Sequence, residues 1–182
     1  LTLQNCIFMN NRAVYGGSIY HKYGNTIIKN TKFIDSYASL YGGVLATDGG
    51  DIVIENCEFV NCHAAGDAGG AIYSKVTNLT VKNSNFTNGY GDFGGAICNL
   101  NSDLIIENSN FYNNSAKLEG GAIYVMYGNV KINNCNITLS SARDGGAIFE
   151  DNCTSSTIKK TNFDKSSATR YGGIIFSNGQ QV

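Results

Sequence analysis

The sequence contains no proline and no tryptophan, and only 15% of its 182 residues are charged. Its formal net charge is -1, so it lacks the basic stripe expected of a nucleic-acid-binding protein. It also lacks an apolar run of about 18 residues, and we therefore expect no membrane span in this segment. The absence of proline favours strands that are paired on both sides, because proline cannot donate to such a ladder.

Glycine is plentiful by contrast, and it recurs as Gly-Gly pairs in strings such as AGGAIY, EGGAIY and DGGAIF. The first glycines of these pairs stand 25 to 27 residues apart, at Gly16, Gly42, Gly69, Gly94, Gly120, Gly145 and Gly172. A marker residue keeps the same period, at Phe8, Phe33, Phe59, Phe86, Phe111, Ile137 and Phe163. Repeats of this period indicate a solenoid. Seven units account for the whole chain.

Alternation within each unit indicates strands rather than helices. Apolar residues stand five and seven positions before the marker, as Ile54 and Ile52 do before Phe59. A second strand is predicted near the marker and a third after Gly-Gly, without the helix of a leucine-rich repeat. The sequence thus predicts an all-β parallel β-helix of about seven coils of 25–27 residues, with three short strands per coil. Residues 1–182 are predicted to be a single β-helix segment of a longer protein, because both ends interrupt a repeat.

Two columns of small polar residues precede the marker. Three positions before it the residue is asparagine in every unit but the last, which has Lys160. Asparagine tolerates left-handed turns, so we expect an amide ladder inside a bend, with a surface turn as the alternative. Two positions before the marker stand Cys6, Cys57 and Cys135, in a column otherwise made of serine and threonine. They lie at least two rungs apart, which at about 4.8 Å per rung exceeds the reach of a disulfide, so we predict free thiols.

The Gly-Gly pair is predicted to form a corner that needs a positive φ or a very close backbone approach. The isoleucine or leucine two places beyond the second glycine is predicted to face the core. A phosphate-binding loop is the alternative interpretation, but it requires a following helix and a GxxxxGK-type motif, and the sequence predicts neither.

Aromatic residues stand one place beyond that isoleucine, and strand alternation predicts that they point outward. The alternative is that they face the core while the isoleucines face out. An outward column of aromatic rings is our candidate surface for stacking on sugar rings or covering a neighbouring domain of the same chain. Its members are Tyr20, Tyr73, Tyr124, Phe149 and Phe176. Other aromatic residues directly precede Gly-Gly, at Tyr15, Tyr41, Phe93 and Tyr171.

Acidic residues also occupy the variable loop before Gly-Gly, at Asp67, Asp92, Glu119 and Asp144. Stacked on four consecutive rungs they would form a rim able to bind Ca²⁺, with a solvated loop edge as the alternative. No other cofactor is predicted. Four places before the marker the charge alternates along a predicted surface ladder, at Lys29, Glu55, Lys82 and Glu107. Neither His21 nor His63 is predicted to have a partner in its own column.

The GGAI strings, together with the Phe-x-x-Asn strings at Phe8–Asn11 and Phe111–Asn114, resemble the repeats of chlamydial polymorphic outer-membrane proteins. The asparagine- and tyrosine-rich string LIIENSNFYNNSAKLEGGAIY is still more similar to adhesin-like surface proteins of methanogenic archaea. The resemblance implies a right-handed parallel β-helix in an extracellular cell-surface adhesin. Its expected partner is a surface glycan or a protein of another cell.

An enzyme is the alternative function, as a polysaccharide lyase or glycoside hydrolase of pectate-lyase-like architecture. Such chemistry requires a pair of carboxylates about 5–10 Å apart, or a calcium site plus a basic residue, facing outward from neighbouring rungs. The charge ladder offers no adjacent carboxylates, and we therefore predict a non-catalytic stalk or binding module.

Overall fold

The structure is a computed structural model, which describes residues 1–66 and 68–179. Throughout these two ranges the regular secondary structure consists of β-strands, and no helix occurs. The described part therefore has no helix that is long and apolar enough to cross a membrane. The predicted all-β fold is confirmed, and every strand pairing is parallel.

The strands, numbered in chain order, form three sheets in the described part of the chain. Sheet 1 contains β1 (Thr2–Gln4), β4 (Ile19–Lys22), β5 (Thr26–Lys29), β8 (Leu45–Glu55), β11 (Ile72–Lys82), β14 (Ile97–Leu100), β15 (Leu104–Glu107), β18 (Ile123–Met126), β19 (Asn129–Asn133), β22 (Ile148–Cys153), β23 (Ser155–Lys159) and β26 (Ile175–Gly179). Sheet 2 contains β2 (Ile7–Met9), β6 (Lys32–Ile34), β9 (Glu58–Val60), β12 (Asn85–Thr87), β16 (Asn110–Tyr112), β20 (Asn136–Thr138) and β24 (Asn162–Asp164). Sheet 3 contains β3 (Arg12–Tyr15), β7 (Tyr37–Tyr41), β10 (His63–Ala64), β13 (Tyr90–Phe93), β17 (Ser115–Glu119), β21 (Ser141–Asp144) and β25 (Ser167–Tyr171).

Along most of each strand a residue pairs with its equivalent in the next coil, so the sequence columns become physical columns. The markers show this most directly, because Phe8 pairs with Phe33 and Phe33 with Phe59. Phe59, Phe86 and Phe111 continue the stack, with neighbouring ring centroids 4.5 and 4.8 Å apart. The rings are almost parallel and lie in the centre of the solenoid. Adjacent rungs are therefore separated by little more than the thickness of an aromatic ring.

Asparagine residues occupy the corner between sheet 1 and sheet 2, where the backbone is left-handed. Asn30 and Asn56 have φ values of 50° and 54°. The Asn30 amide donates to the Asn5 side-chain oxygen at 3.1 Å, and Asn56 donates to Asn30 at 3.2 Å. The predicted ladder is confirmed, but its side chains are exposed on the outside of the bend. Burial is not required there, because neighbouring amides satisfy each other.

A second ladder at the next corner was not predicted. It begins at Asn10 and runs two places after each marker, and all its members have positive φ. Asn61 donates to Asp35 at 2.9 Å, Asn88 donates to Asn61 at 3.0 Å, and Asn113 donates to Asn88 at 2.8 Å. Both corners of sheet 2 therefore have a left-handed backbone, and asparagine side chains stack along much of each.

The two glycines of each Gly-Gly pair satisfy different constraints. The first glycine has a positive φ, as at Gly120 with 68°. The second has ordinary φ, but a Cβ on Gly121 would lie 2.1 Å from the carbonyl oxygen of Gly146 on the next coil. The predicted corner is confirmed, and both of the predicted reasons for glycine apply.

All six cysteines are free thiols, as predicted. Cys57 and Cys135 lie inside the solenoid, and burial raises the pKa of both thiols. The predicted charge ladder also forms, since Lys29 pairs with Glu55 at 2.8 Å on a solvent-exposed face. The same face carries a second ion pair, between Lys82 and Glu107 at 3.0 Å.

The prediction that neither histidine has a partner in its column is wrong for His63. Its ring packs edge-on between Tyr37 and Tyr90, with centroid distances of 5.4 and 4.8 Å. Tyrosine and histidine in one column were not recognised as equivalent, although both present a flat ring. His21 instead points inward, and its Nδ1 lies 2.9 Å from the Thr26 hydroxyl.

A candidate binding groove at the Gly-Gly corner

Two outward columns flank the Gly-Gly corner, one from sheet 3 and one from sheet 1. The column before the corner, the upstream wall, consists of Tyr15, Tyr41, Ala68, Phe93, Glu119, Asp144 and Tyr171. The column after it, the downstream wall, consists of Tyr20, Ala46, Tyr73, Cys98, Tyr124, Phe149 and Phe176. The angle between the two walls creates a groove, the corner groove, that runs along the solenoid axis.

The downstream wall points away from the core because the strand alternates. Ile72 and Ile123 are fully buried with the marker residues, as predicted. The alternative interpretation, in which the isoleucines face out and the aromatic residues face the core, is therefore wrong. The expected exposure of the aromatic rings holds for Tyr20, which is 52% exposed. It is wrong for Tyr124 and Phe149, which are 4% and 7% exposed. They belong to a second apolar cluster on the outside of the solenoid, formed where the two walls meet.

The walls are complementary in size where they meet. At the second corner, formed by the second Gly-Gly pair, Tyr41 of the upstream wall faces Ala46 of the downstream wall. At the third corner the sizes are reversed, with Ala68 on the upstream wall and Tyr73 on the downstream wall. Tyr41 reaches across and stacks on Tyr73, with centroids 4.7 Å apart. At both corners a large side chain on one wall thus stands opposite a small one on the other. This interdigitation buries part of the downstream wall without closing the groove.

In the part of the chain that the structure describes, two hollows lie along the corner groove. The first is about 390 Å³ and has Ala46 as its floor, with Tyr20 and Tyr73 on either side along the axis. The second is about 230 Å³ and has Cys98 as its floor, with Tyr73 and Tyr124 on either side. Tyr73, on the downstream wall, therefore lines both hollows. On the side of the upstream wall, Tyr41 lines both hollows and Phe93 lines the second.

The outer edge of the groove is the next outward column of sheet 1, and its chemistry changes along the axis. It begins with Lys22, Asp48 and Lys75, which pair in register beside the first hollow. It continues with Leu100 and Met126, which line the second hollow. One hollow therefore has charged groups at its edge, and the other has an apolar edge.

A charged network replaces the aromatic rings in the upstream wall towards the C-terminal coils. Asp144 is 1% exposed, and Arg170 donates to it from Nε at 2.8 Å and again from Nη2. These hydrogen bonds hold the pKa of the Asp144 carboxyl below its ordinary value. Arg143 bridges the network, donating to Glu119 at 3.3 Å and to Asp144 at 3.2 Å. The pKa of Glu119 is nevertheless raised, chiefly by burial and with a contribution from the Asp144 charge, although Arg143 acts in the opposite direction.

The predicted acidic rim forms only in part. Glu119 and Asp144 pair in register, as a stacked rim requires. Asp92 does not join them, because its neighbour Phe93 pairs with Glu119, and the prediction is wrong at this position. Asp67 lies outside the described residues. Within residues 1–66 and 68–179, no three histidine, cysteine, aspartate or glutamate side chains are grouped as a metal site.

The sequence pointed to this region but not to its shape. Repeated aromatic positions on both sides of Gly-Gly were visible as patterns of fixed spacing. The small residues Ala46 and Cys98 interrupt that pattern and were not recognised as the floors of hollows. Leu100 and Met126 were missed because they lie beyond the repeated GGAI string. Ala46 and Cys98 could have been found by comparing the residue sizes in the columns on the two sides of Gly-Gly.

Comparison with known proteins agrees with this architecture. The family profile described as the right handed beta helix region matches residues 1–181. No curated protein and no solved structure matches the chain. A profile that covers nearly all of the sequence, together with seven parallel coils in three sheets, identifies the fold family. The chain belongs to the family of right-handed β-helix regions.

Proposed function

We propose that this chain is a non-catalytic module of an extracellular, adhesin-like cell-surface protein and that it binds a glycan in the corner groove. One observation carries the proposal: aromatic rings line an open groove that is separate from the solenoid core. The core already accounts for the fold, so solvent-accessible rings such as Tyr15 and Tyr20 are available for contact. They are 41% and 52% exposed and stack on each other at 5.7 Å.

Aromatic rings suit a sugar ligand for a physical reason. One face of many pyranose rings presents C–H groups, which pack against an aromatic face, while the hydroxyl groups remain in water. Tyrosine adds a hydroxyl that can hydrogen-bond to the same sugar. The resemblance of its GGAI repeats to those of surface adhesins supports the proposed cell-surface location. A protein of another cell and a neighbouring domain of the same chain are the other partners that such a groove can accommodate.

An enzyme that cleaves polysaccharides is the second candidate, and one observation favours it. Glu119 and Asp144 lie on consecutive rungs beside the groove, and their pKa values are shifted in opposite directions. Pairs of this kind supply the acid and base of glycoside hydrolysis. We favour binding without turnover because the buried Asp144 accepts hydrogen bonds from Arg143, Arg170 and the Tyr171 backbone. These donors occupy the oxygens that a sugar or water would have to reach.

A glycan array probed with the whole chain tests the proposal. We expect the wild-type chain to bind a subset of glycans and the Tyr15→Ala/Tyr20→Ala variant to lose that binding without a change in melting temperature. Tyr112→Ala is the matched control, because Tyr112 is 50% exposed but lies on sheet 2, away from the groove. Binding that is unchanged in the double variant, or absent for every glycan, would overturn the proposal.

The same protein distinguishes the enzyme. Incubation with polygalacturonate and with neutral polysaccharides should release no unsaturated or reducing sugar. Release that disappears in a Glu119→Gln variant would instead establish catalysis at the Glu119–Asp144 pair.

A further inference from the structure

The two hollows of the corner groove lie at a defined separation. Their floors, Ala46 and Cys98, belong to the second and fourth corners and are two rungs apart. At about 4.8 Å per rung, this corresponds to about 10 Å along the axis. Tyr73 stands midway between the floors and contributes to both hollows. The site therefore has three consecutive positions, namely hollow, ring and hollow.

Three positions with this spacing match three consecutive sugars. Each pyranose ring in an extended glycan advances by a distance close to one rung. A first sugar in the first hollow and a third sugar in the second would place the middle sugar against Tyr73. Tyr20 and Tyr124 would then bound the two ends of the trisaccharide.

The edge of the first hollow favours a negatively charged sugar. Lys22 and Lys75 stand on either side of Asp48, so this edge carries two positive charges and one negative charge. In the part of the chain that the structure describes, neither lysine forms an ion pair with a carboxylate. The Lys22 ammonium lies 5.7 Å from the centre of the Tyr20 ring, at the edge of the hollow. A ligand carboxylate would complement the excess positive charge.

The edge of the second hollow favours an apolar substituent. Leu100 and Met126 replace the charged residues there, and the remaining lining is aromatic or small. Methionine adapts its shape to the group it contacts. Among common sugar substituents, the methyl of an acetamido group combines an apolar surface with a nearby polar amide.

Resting on the proposed function, we infer that the corner groove recognises three consecutive sugars of one glycan. The first carries a carboxylate and lies beside Lys22 and Lys75. The third is N-acetylated and lies beside Leu100 and Met126. This assignment identifies the ligand class as an acidic, N-acetylated glycan rather than a neutral polysaccharide.

Isothermal titration of the whole chain with three oligosaccharides tests this inference. The probes are sialyl-N-acetyllactosamine, neutral N-acetyllactosamine, and sialyl-lactose, which lacks the acetamido group on the third sugar. We expect the first probe to bind most tightly. Removal of the acidic sugar should weaken binding by at least about twofold to fivefold, because an exposed charge contact has roughly that value. Removal of the acetamido methyl should weaken it by about fourfold.

Variants assign each preference to its edge. Lys75→Gln should reduce the preference for the acidic probe, and Leu100→Asn should reduce the preference for the N-acetylated probe. Lys131→Gln is the matched control, because Lys131 lies on sheet 1 outside the groove. Melting temperatures of all three variants should match that of the parent.

The outcomes separate this inference from the proposed function. Equal affinity for the three probes, or preferences that both edge variants leave undiminished, would overturn the ligand assignment and leave glycan binding intact. No binding to these probes, with binding to other glycans on the array, would also overturn it. Failure to bind any glycan would overturn the proposed function as well.

Discussion

Gly121 and Gly146 lie on neighbouring coils so close together that no side chain fits between them. A Cβ added to Gly121 would lie 2.1 Å from the Gly146 carbonyl oxygen and 2.6 Å from the Ser141 backbone nitrogen. Backbone atoms cannot move away singly, because each belongs to a rung that is hydrogen-bonded on both sides. The spacing of the coils therefore depends on glycine at this corner.

We expect Gly121→Ala to lower the melting temperature markedly, and Gly121→Val to lower it further. Gly173→Ala is the matched control, since the second glycine of the last pair has no atom within 4 Å of an added Cβ. Thermal unfolding followed by circular dichroism measures both. Equal melting temperatures for Gly121→Ala and Gly173→Ala would contradict the close-packing explanation.

The six thiols should react according to their positions. Under denaturing, non-reducing conditions a thiol reagent should label all six, because none forms a disulfide. In the native protein Cys6, which is partly exposed, should react first. Burial raises the pKa of Cys62 to about 12 and that of Cys153 to about 11, so these thiols should react slowly. Mass spectrometry of a labelling time course gives the order, and early modification of Cys62 would contradict it.

Acid should weaken the network at Asp144. Its pKa is lowered in the folded state, chiefly by the hydrogen bond from Arg170. The carboxylate therefore contributes stability above its ordinary pKa of 3.8, and this contribution is lost as pH falls through the lower folded value. We expect Asp144→Asn to be less stable than the parent near neutral pH and the difference to shrink below about pH 4.

Denaturant unfolding at a series of pH values measures this difference. Burial raises the pKa of neighbouring Glu119, so ionised Glu119 lowers the stability of the folded state above pH 4.5. The variant must therefore be compared with the parent at each pH. Asp164→Asn serves as a control, because Asp164 is exposed and pairs loosely with Lys165 at 3.7 Å. A stability difference for Asp144→Asn that does not change with pH would show that its carboxylate is not the source.

The period of the sequence specified the coils because each column repeats one physical requirement. Gly121 requires close approach, Phe86 fills the centre and Asn56 adopts left-handed backbone, so their patterns could be read without coordinates. The corner groove could not be read in this way. Burial of Tyr124 depends on how two columns from different sheets face each other, and that angle has no counterpart in the spacing of residues. The acidic rim failed for the same reason, since loop length decides which residue, Asp92 or Phe93, pairs with Glu119.

Tyr20 and Tyr124 belong to one column but should respond differently to truncation. Tyr124 is 4% exposed, and its ring packs against Phe149 at 5.4 Å and Phe93 at 5.2 Å. Tyr124→Ala should therefore lower the free energy of unfolding by an amount approaching about 3–5 kcal/mol, the loss typical when a buried aromatic residue is truncated. Tyr20 is 52% exposed, and Tyr20→Ala should change it by less than about 1 kcal/mol. Urea denaturation measures both values, and equal losses in the two variants would show that the column does not change from exposed to buried along the axis.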